Sequence, residues 1–534
     1  MSKRKIRIIA VVAVILTAIA ALSVIGISLT VEDSVFNTDT PMKITCNSTV
    51  VGTIENKEDY EAFIFEVEKP GALVVKLQHD NLLDTVKCGY VLTLYKIIEG
   101  EEKTYQEITY FESFWNETTS SWGETGVSVG TYLVVVEPGV DIIFGDFTLV
   151  TAFTATPAYE KEPNNTKDTS NDVKVGESFY ASSSQLKEGT DVDWYKFQLE
   201  EDSFIDVSFI HDDLTFPTSG WNIKILTEDE QVVCDYRSLL TDVHLQTGTI
   251  GLRAGTYYIR VESQTPIADT YSVLIAADKA KNHEFELNDT PETATELPRG
   301  VAITGSLSEK LLSLDKDYYK LTVPADGHIE FYFKHSEIEG DKNGWNIRLM
   351  KQDEDGEYQI VKKMSKWKDK AISVYSLGLA AGDYYIVIDA DSLAHNSATY
   401  SIQWNFTAKE NFEKEPNNVM KRAQDINFNE YYYGAIISSD MIFDEDYYKL
   451  EITEDMVVNL ELGHEIVPDG SISWIASIVD EDNEALYAIE SSPDDGVIST
   501  GDVKLSQGTY YIKIETGMYE SEIPYYFRVS TPNQ

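Results

Sequence analysis

Cysteine appears three times in 534 residues, and neither His nor Cys accompanies the chain's clustered carboxylates. That scarcity sets zinc aside, because zinc sites are built on those two ligands. Basic residues are scarce as well: 43 Lys and Arg face 90 Asp and Glu, for a formal charge of −47. Such a chain is repelled by nucleic acid, whose binding needs cations to displace counterions, so nucleic acid is excluded as a partner. There is no His-Glu-x-x-His motif and no phosphate-cradling glycine loop. Gly126-Val-Ser128-Val-Gly130 spells the Gly-x-Ser-x-Gly nucleophile signature, yet that chemistry needs a strand, a sharp turn and a helix. Here the segment runs straight into Tyr132-Leu-Val-Val-Val, a strand pattern. The chain is therefore expected not to be an enzyme. Cys46 and Cys88 fall in one repeat and would pair in an oxidising compartment or stand, like Cys234, as isolated thiols.

What is present begins at the N-terminus. Lys3, Arg4, Lys5 and Arg7 precede an uncharged stretch, 8–31, that ends at Glu32 and Asp33. Positive charge before an apolar run places the N-terminus inside and the remainder outside. The run is long enough for a bilayer helix and longer than an ordinary signal-peptide core, although Ala18-Ile-Ala20 offers a cleavage signal. The expected localisation is exported: anchored in the membrane by residues 8–31, or secreted after cleavage. No Cys sits just after the run to accept a lipid and the last five residues carry no wall-sorting signal, so the N-terminal helix is the expected tether.

The rest of the chain repeats itself, and repetition decides the architecture. A Glu-x-Glu-x-Asn-Asn/Asp segment occurs three times, as Glu160-Lys-Glu162-Pro-Asn164-Asn165, Glu284-Phe-Glu286-Leu-Asn288-Asp289 and Glu413-Lys-Glu415-Pro-Asn417-Asn418. Each is followed, 31 residues after its first Glu, by Asp191-Val-Asp193-Trp-Tyr195, Asp315-Lys-Asp317-Tyr-Tyr319 or Asp444-Glu-Asp446-Tyr-Tyr448. Then come a His-ended strand (His211, His335, His464), a Trp strand (Trp221, Trp345, Trp474) and a closing hairpin of the form Gly-x-Tyr-Tyr-Ile from Gly255, Gly382 and Gly508. A last strand follows, read as Tyr271-Ser-Val-Leu, Tyr400-Ser-Ile-Gln and Tyr526-Phe-Arg-Val. A fourth, degenerate copy precedes these, with Asp59-Tyr60, His79 and Gly130-Thr-Tyr132 in the same order but without the acidic segment.

Alternating β-rich runs such as Phe204-Ile-Asp-Val-Ser-Phe-Ile, parted by Gly, Asp and Asn turns, predict strands and hence β-sandwiches. The predicted organisation is an N-terminal segment 1–31 and four domains, 32–157, 158–280, 281–409 and 410–534. Each has enough residues to close a core of its own.

Fixed spacing across divergent intervening sequence means that the acidic segment and the Asp-x-Asp strand meet. Oxygen donors converging on one point suggest a hard cation, calcium above all, since uncompensated carboxylates would repel. At this point the chain resembles a known family, the pre-peptidase C-terminal domains, which include the collagen-binding domains of clostridial collagenases. The resemblance rests on Glu-Pro-Asn-Asn, Asp-x-Asp-Trp/Tyr-Tyr and Gly-x-Tyr-Tyr-Ile, and it covers nearly everything after the apolar run. It implies a jelly-roll-like β-sandwich, usually appended to a secreted peptidase, and in the collagen-binding members calcium is held between linker and sandwich. Carried over by position, the ligands are Glu160, Glu162, Asn164, Asn165, Asp191 and Asp193 in the second copy. The third contributes Glu284, Glu286, Asn288, Asp289, Asp315 and Asp317, and the fourth Glu413, Glu415, Asn417, Asn418, Asp444 and Asp446. Asp289 is charged where Asn165 and Asn418 are neutral, which favours the third copy as the tightest binder. The first copy, lacking the segment, is expected to have no such site.

Three further features have structural readings. The repeated histidines are expected to bond neighbouring loops at strand ends. Lys362, Lys363, Lys366, Lys368 and Lys370 around Trp367 form a basic island, expected as a solvated hairpin. In each Tyr-Tyr pair of the closing hairpin, strand alternation puts one ring inside and one outside. Together these features predict a non-catalytic, exported cell-surface array of calcium-binding sandwiches acting as a calcium-stiffened stalk or binding scaffold. The alternatives are an adhesin for an extracellular polymer or protein ligand, collagen-like or polysaccharide, and an accessory of a secreted peptidase.

Overall fold

The computed structural model describes residues 41–80, 89–100, 102–113, 119–121, 124–139, 145–212, 219–239, 241–263, 269–310, 315–335, 344–366, 372–390, 398–436, 444–466, 474–516 and 523–532. Within them the regular structure is strand, apart from three single-turn 3-10 helices. No described helix is long and apolar enough to cross a membrane; the apolar run 8–31 lies outside the described residues. Cys88 does as well, while Cys46 is half-buried against the first core.

The described strands form eight sheets, with two strand orders that recur in alternation along the chain. In the third copy one sheet runs Thr295–Glu296, Lys316–Val323, Gly382–Ala390, Trp345–Gln352, Tyr358–Lys366. The facing sheet runs Ile303–Gly305, Tyr400–Ala408, Gly327–His335, Ile372–Leu379. Lys316–Val323 and Gly382–Ala390 are antiparallel, so the Asp-x-Asp strand is locked to the closing hairpin, with Asp317 opposite Ile388. The equivalent registers, Asp193 opposite Val261 and Asp446 opposite Ile514, recur. One apolar core lies between the two sheets, with Phe331, Trp345, Leu377, Ile386 and Tyr400 among its members. Corresponding cores form around Phe63, Leu92 and Val134 and around Leu460, Trp474 and Ile514. Strand alternation supplies them: Gly327–His335 buries every second residue, the period-two pattern of a sheet packed on one face.

The chain divides into two compact units. One comprises Met1–Glu200, Asp206–Gln246 and Ala254–Ala277, the other Glu201–Ile205, Thr247–Arg253 and Asp278–Gln534.

Two expectations of detail change. The Tyr pair of the second copy is buried on both sides, Tyr257 and Tyr258 alike. Tyr258 packs edge-on against Trp194 at 6.1 Å, so the outer face of that hairpin is covered as well. In the last strand of the fourth copy the counterpart of Tyr271 and Tyr400 is Tyr525, not Tyr526. A slip of one residue exchanges the inward and outward faces, and it is Tyr525 that is buried.

Candidate metal centres

The acidic segment is held from both sides by alternate peptide groups. The first Glu of each donates its N–H to its own copy: Glu160 to Tyr180 O at 2.9 Å, Glu284 to Thr304 O at 2.9 Å, Glu413 to Tyr433 O at 2.8 Å. The second Glu donates to a strand of the copy before it: Glu162 to Gly126 O at 3.3 Å, Glu286 to Gly251 O at 2.9 Å, Glu415 to Gly378 O at 3.0 Å. The approach is so close that a Cβ on Gly126, Gly251 or Gly378 would collide with the carbonyl of Glu160, Glu284 or Glu413. Glycine is needed there to admit another backbone. The letters Gly126-Val-Ser128-Val-Gly130 thus mark a docking strand, and Ser128 Oγ is engaged by Lys96 Nζ at 2.5 Å. The segment then reaches the Asp-x-Asp strand, where Trp194, Tyr318 and Tyr447 donate their N–H to Asn164, Asn288 and Asn417 O at 3.0, 2.9 and 3.2 Å. The peptide after the second Glu is cis in all three copies.

This backbone brings the expected side chains together. One oxygen each from Glu160, Glu162 and Asp193 lies within 4.8 Å of the others, and the same holds for Glu286, Asp289 and Asp315 and for Glu415, Asp444 and Asp446. Asp191, Glu284, Asp317 and Glu413 are buried beside them. Asn164, Asn288 and Asn417 are fully buried. The sixth position, Asn165, Asp289 or Asn418, is half-buried at the rim.

Protein donors occupy part of the oxygen set. Glu160 Oε1 accepts from Ser182 N at 2.6 Å, Glu284 Oε1 from Ser306 N at 2.7 Å, and Glu413 Oε1 from Ala435 N at 3.0 Å. A second set of buried oxygens has no protein partner: Glu162 Oε1, Asn164 Oδ1 and Asp193 Oδ1; Glu286 Oε2, Asn288 Oδ1 and Asp317 Oδ1; Glu413 Oε2, Asn417 Oδ1 and Asp446 Oδ1. Buried polar atoms are rarely left so. Carboxylate and amide oxygens with unused lone pairs, without sulfur or imidazole, fit a hard divalent cation such as calcium.

The electrostatics agree. Burial, reinforced by the charge of Asp191, pushes Glu160 up to about 8, and burial pushes Asp191 up to about 7. Glu284 rises to about 7 and Asp315 to about 6, again through burial. Glu162, Asp193, Glu286, Asp317, Glu413 and Asp446 are all held well above the usual carboxylate range, burial first and neighbouring carboxylates second. Each group resists full ionisation without a cation.

Two kinds of residue at these centres escape the sequence reading. Tyrosine pairs bridge the carboxylates from the sandwich side: Tyr195 donates to Glu160 Oε2 at 2.8 Å and Tyr271 to Asp193 Oδ2 at 2.6 Å. In the third copy Tyr319 donates to Glu284 and Tyr400 to Asp317 in the same way, and in the fourth Tyr448 meets Tyr525, which donates to Asp446. Lysines enter from elsewhere. Lys310 Nζ pairs with Asp289 Oδ2 at 2.8 Å and with Asp315 Oδ1 at 2.7 Å. Lys362 pairs with Glu415 and Asp444. Lys362 therefore belongs to a buried centre and not to a solvated basic island. The extra charge of Asp289 is thus paired with an ammonium. The signal for the docking glycines was available, since Gly126, Gly251 and Gly378 each stand four residues before the glycine of a closing hairpin.

The repeated histidines hold strand ends. His211 and His464 contact the carbonyls of Asp212 and Glu465 through Nδ1 at 2.7 and 2.9 Å, and their rings lie 4.4 and 4.1 Å from those of Trp221 and Trp474.

No family model and no curated protein matches this chain. Among solved structures it is similar to the pre-peptidase C-terminal domain of collagenase from Bacillus anthracis, at 13% identity over 21% of this chain and 95% of that one, TM-score 0.17. It is similar to the CUB1-EGF-CUB2 domains of rat MASP-1, at 10% identity over 44% and 100%, TM-score 0.15. A third is the CBM22-1-CBM22-2 tandem domain of Paenibacillus barcinonensis Xyn10C, at 10% identity over 43% and 93%, TM-score 0.15. Likenesses of this degree carry no functional argument.

Proposed function

We propose that the chain is a non-catalytic, exported array of four β-sandwich copies, tethered through residues 8–31 and stiffened by calcium at the three acidic junctions. The observation that carries this reading is the double attachment of the acidic segment. Glu160 bonds its own sandwich while Glu162 bonds Gly126 of the copy before, and both side chains turn into one buried cluster of oxygens. Calcium would be held by Glu160, Glu162, Asn164, Asp191 and Asp193 and by their counterparts. It would supply the positive charge that lets buried carboxylates ionise together. Ordering a linker costs conformational entropy, and cation binding to a site that exists only when the linker is docked returns that cost. The product is a stiff spacer that holds a binding face away from the membrane.

Small-angle scattering and limited proteolysis of the full chain, in calcium and in chelator, test this reading. The expected result is a larger maximum dimension and slower cleavage at 157–165, 281–289 and 410–418 in calcium. Identical dimensions and identical cleavage in both conditions overturn it.

A further inference from the structure

The three centres share a donor pattern but differ in the positive charge that the chain itself provides. Around Glu160 and Glu162, no described ammonium forms an ion pair with the four carboxylates. Lys96, whose charge acts on Glu162, donates to Ser128 Oγ instead. The third-copy centre contains Lys310, its side chain 8% exposed and bonded to two carboxylates. The fourth-copy centre contains Lys362, 5% exposed and bonded to Glu415 and Asp444, which are 0% and 1% exposed. Lys362 comes from Tyr358–Lys366, the outermost strand of its sheet in the third copy, so it closes the next copy's centre across the junction.

An ammonium offers three donors and a full positive charge. Two carboxylates around it, shielded from water, form the arrangement in which a buried charge is tolerated and its removal is costly. Calcium affinity in all-oxygen sites depends on the net charge of the ligands. A lysine already seated between two of them lowers that charge and occupies their lone pairs.

We propose that Lys362 and Lys310 are tethered counterions standing in for part of the metal charge, so that the second-copy centre around Glu160 is the one that demands calcium most. This rests on reading the centres as calcium sites. The fourth-copy junction is then held in part by the chain itself, and the three junctions respond to calcium in sequence rather than together. Leu186 completes the comparison. It stands 26 residues past Glu160, as Lys310 stands past Glu284, and it is half-buried.

The test is calorimetric titration of calcium chloride into the chelator-treated full chain, beside Lys362→Met and Leu186→Lys, with thermal melts of each in calcium and in chelator. The wild type is expected to bind one calcium about tenfold or more tightly than any other, a gap of about 1.4 kcal/mol. Lys362→Met is expected to gain a second tight calcium and to melt lower in chelator, recovering when calcium is added. Leu186→Lys is expected to weaken the tight site by about tenfold or more. Three equal calcium affinities in the wild type, or unchanged affinities in the variants, overturn the proposal and leave the calcium reading intact. If Lys362→Met does not fold, Leu186→Lys decides alone. Absence of any calcium binding by the wild type overturns the calcium reading and this inference with it.

Discussion

The hydroxyl of Tyr195 meets the hydroxyl of Tyr271 at 2.7 Å, and through that contact two strands from opposite sheets reach Glu160 and Asp193 together. The acidic centre is thereby anchored in the apolar core, where both rings are fully buried. A cation bound at this centre would report on core packing as well as on the linker.

Replacing Tyr271 by Phe keeps the ring and removes the donor to Asp193. Hydrogen bonds to charged groups contribute about 1.5–3 kcal/mol, and a loss of that size is expected in urea unfolding of the calcium-loaded protein. Tyr180→Phe, at a ring more than half exposed, is expected to change stability by less than about 0.5 kcal/mol.

Metal-free stability is expected to fall as pH rises. Glu160 holds its proton up to about 8 in the folded chain, against an ordinary value of 4.5. A group raised by folding binds its proton more tightly folded than unfolded. Its contribution is therefore full below the ordinary value and is lost as pH climbs through the folded one. Asp191, raised to about 7, acts in the same direction. Melts in chelator at pH 5, 6.5 and 8 should descend in that order, and saturating calcium should flatten the series.

Calcium binding near pH 6.5 should release protons, because a carboxyl must be ionised to act as a ligand. Titration in two buffers of different ionisation enthalpy measures the release directly. At pH 9, above the values of about 8 and 7 for Glu160 and Asp191, the release should shrink.

Gly378→Val places side-chain atoms where the Glu413 backbone docks. Overpacking of this kind costs about 1–3 kcal/mol, and the segment around Glu413–Asn418 should become sensitive to protease even in calcium. The same substitution at Gly496, where a Cβ would have only the distant tip of Ile466 near it, should leave cleavage unchanged.

Much of this was legible in the residues. The constant 31-residue step told that Glu160 and Asp191, Glu284 and Asp315, and Glu413 and Asp444 share a place in the fold, and the strand pattern told that the fold is β. Lys362 was not legible, because it lies 53 residues before Glu415 in a different copy, and its counterparts by register, Thr109 and Cys234, are not cationic. The tyrosine pairs hid among tyrosines favoured in strands for other reasons. Tyr525 and Tyr526 differ only in which face they present, and that depends on register, which adjacent identical residues leave open.

The docking glycines impose a direction and an order. A copy receives its successor through Gly126, Gly251 or Gly378, and it presents its own acidic segment to its predecessor. In the fourth copy the position four residues before Gly508 is Lys504, whose side chain would block the same approach. The copies are thus not interchangeable modules. A copy placed directly after the fourth would lack this backbone contact, whereas duplicating the second or third would extend the series.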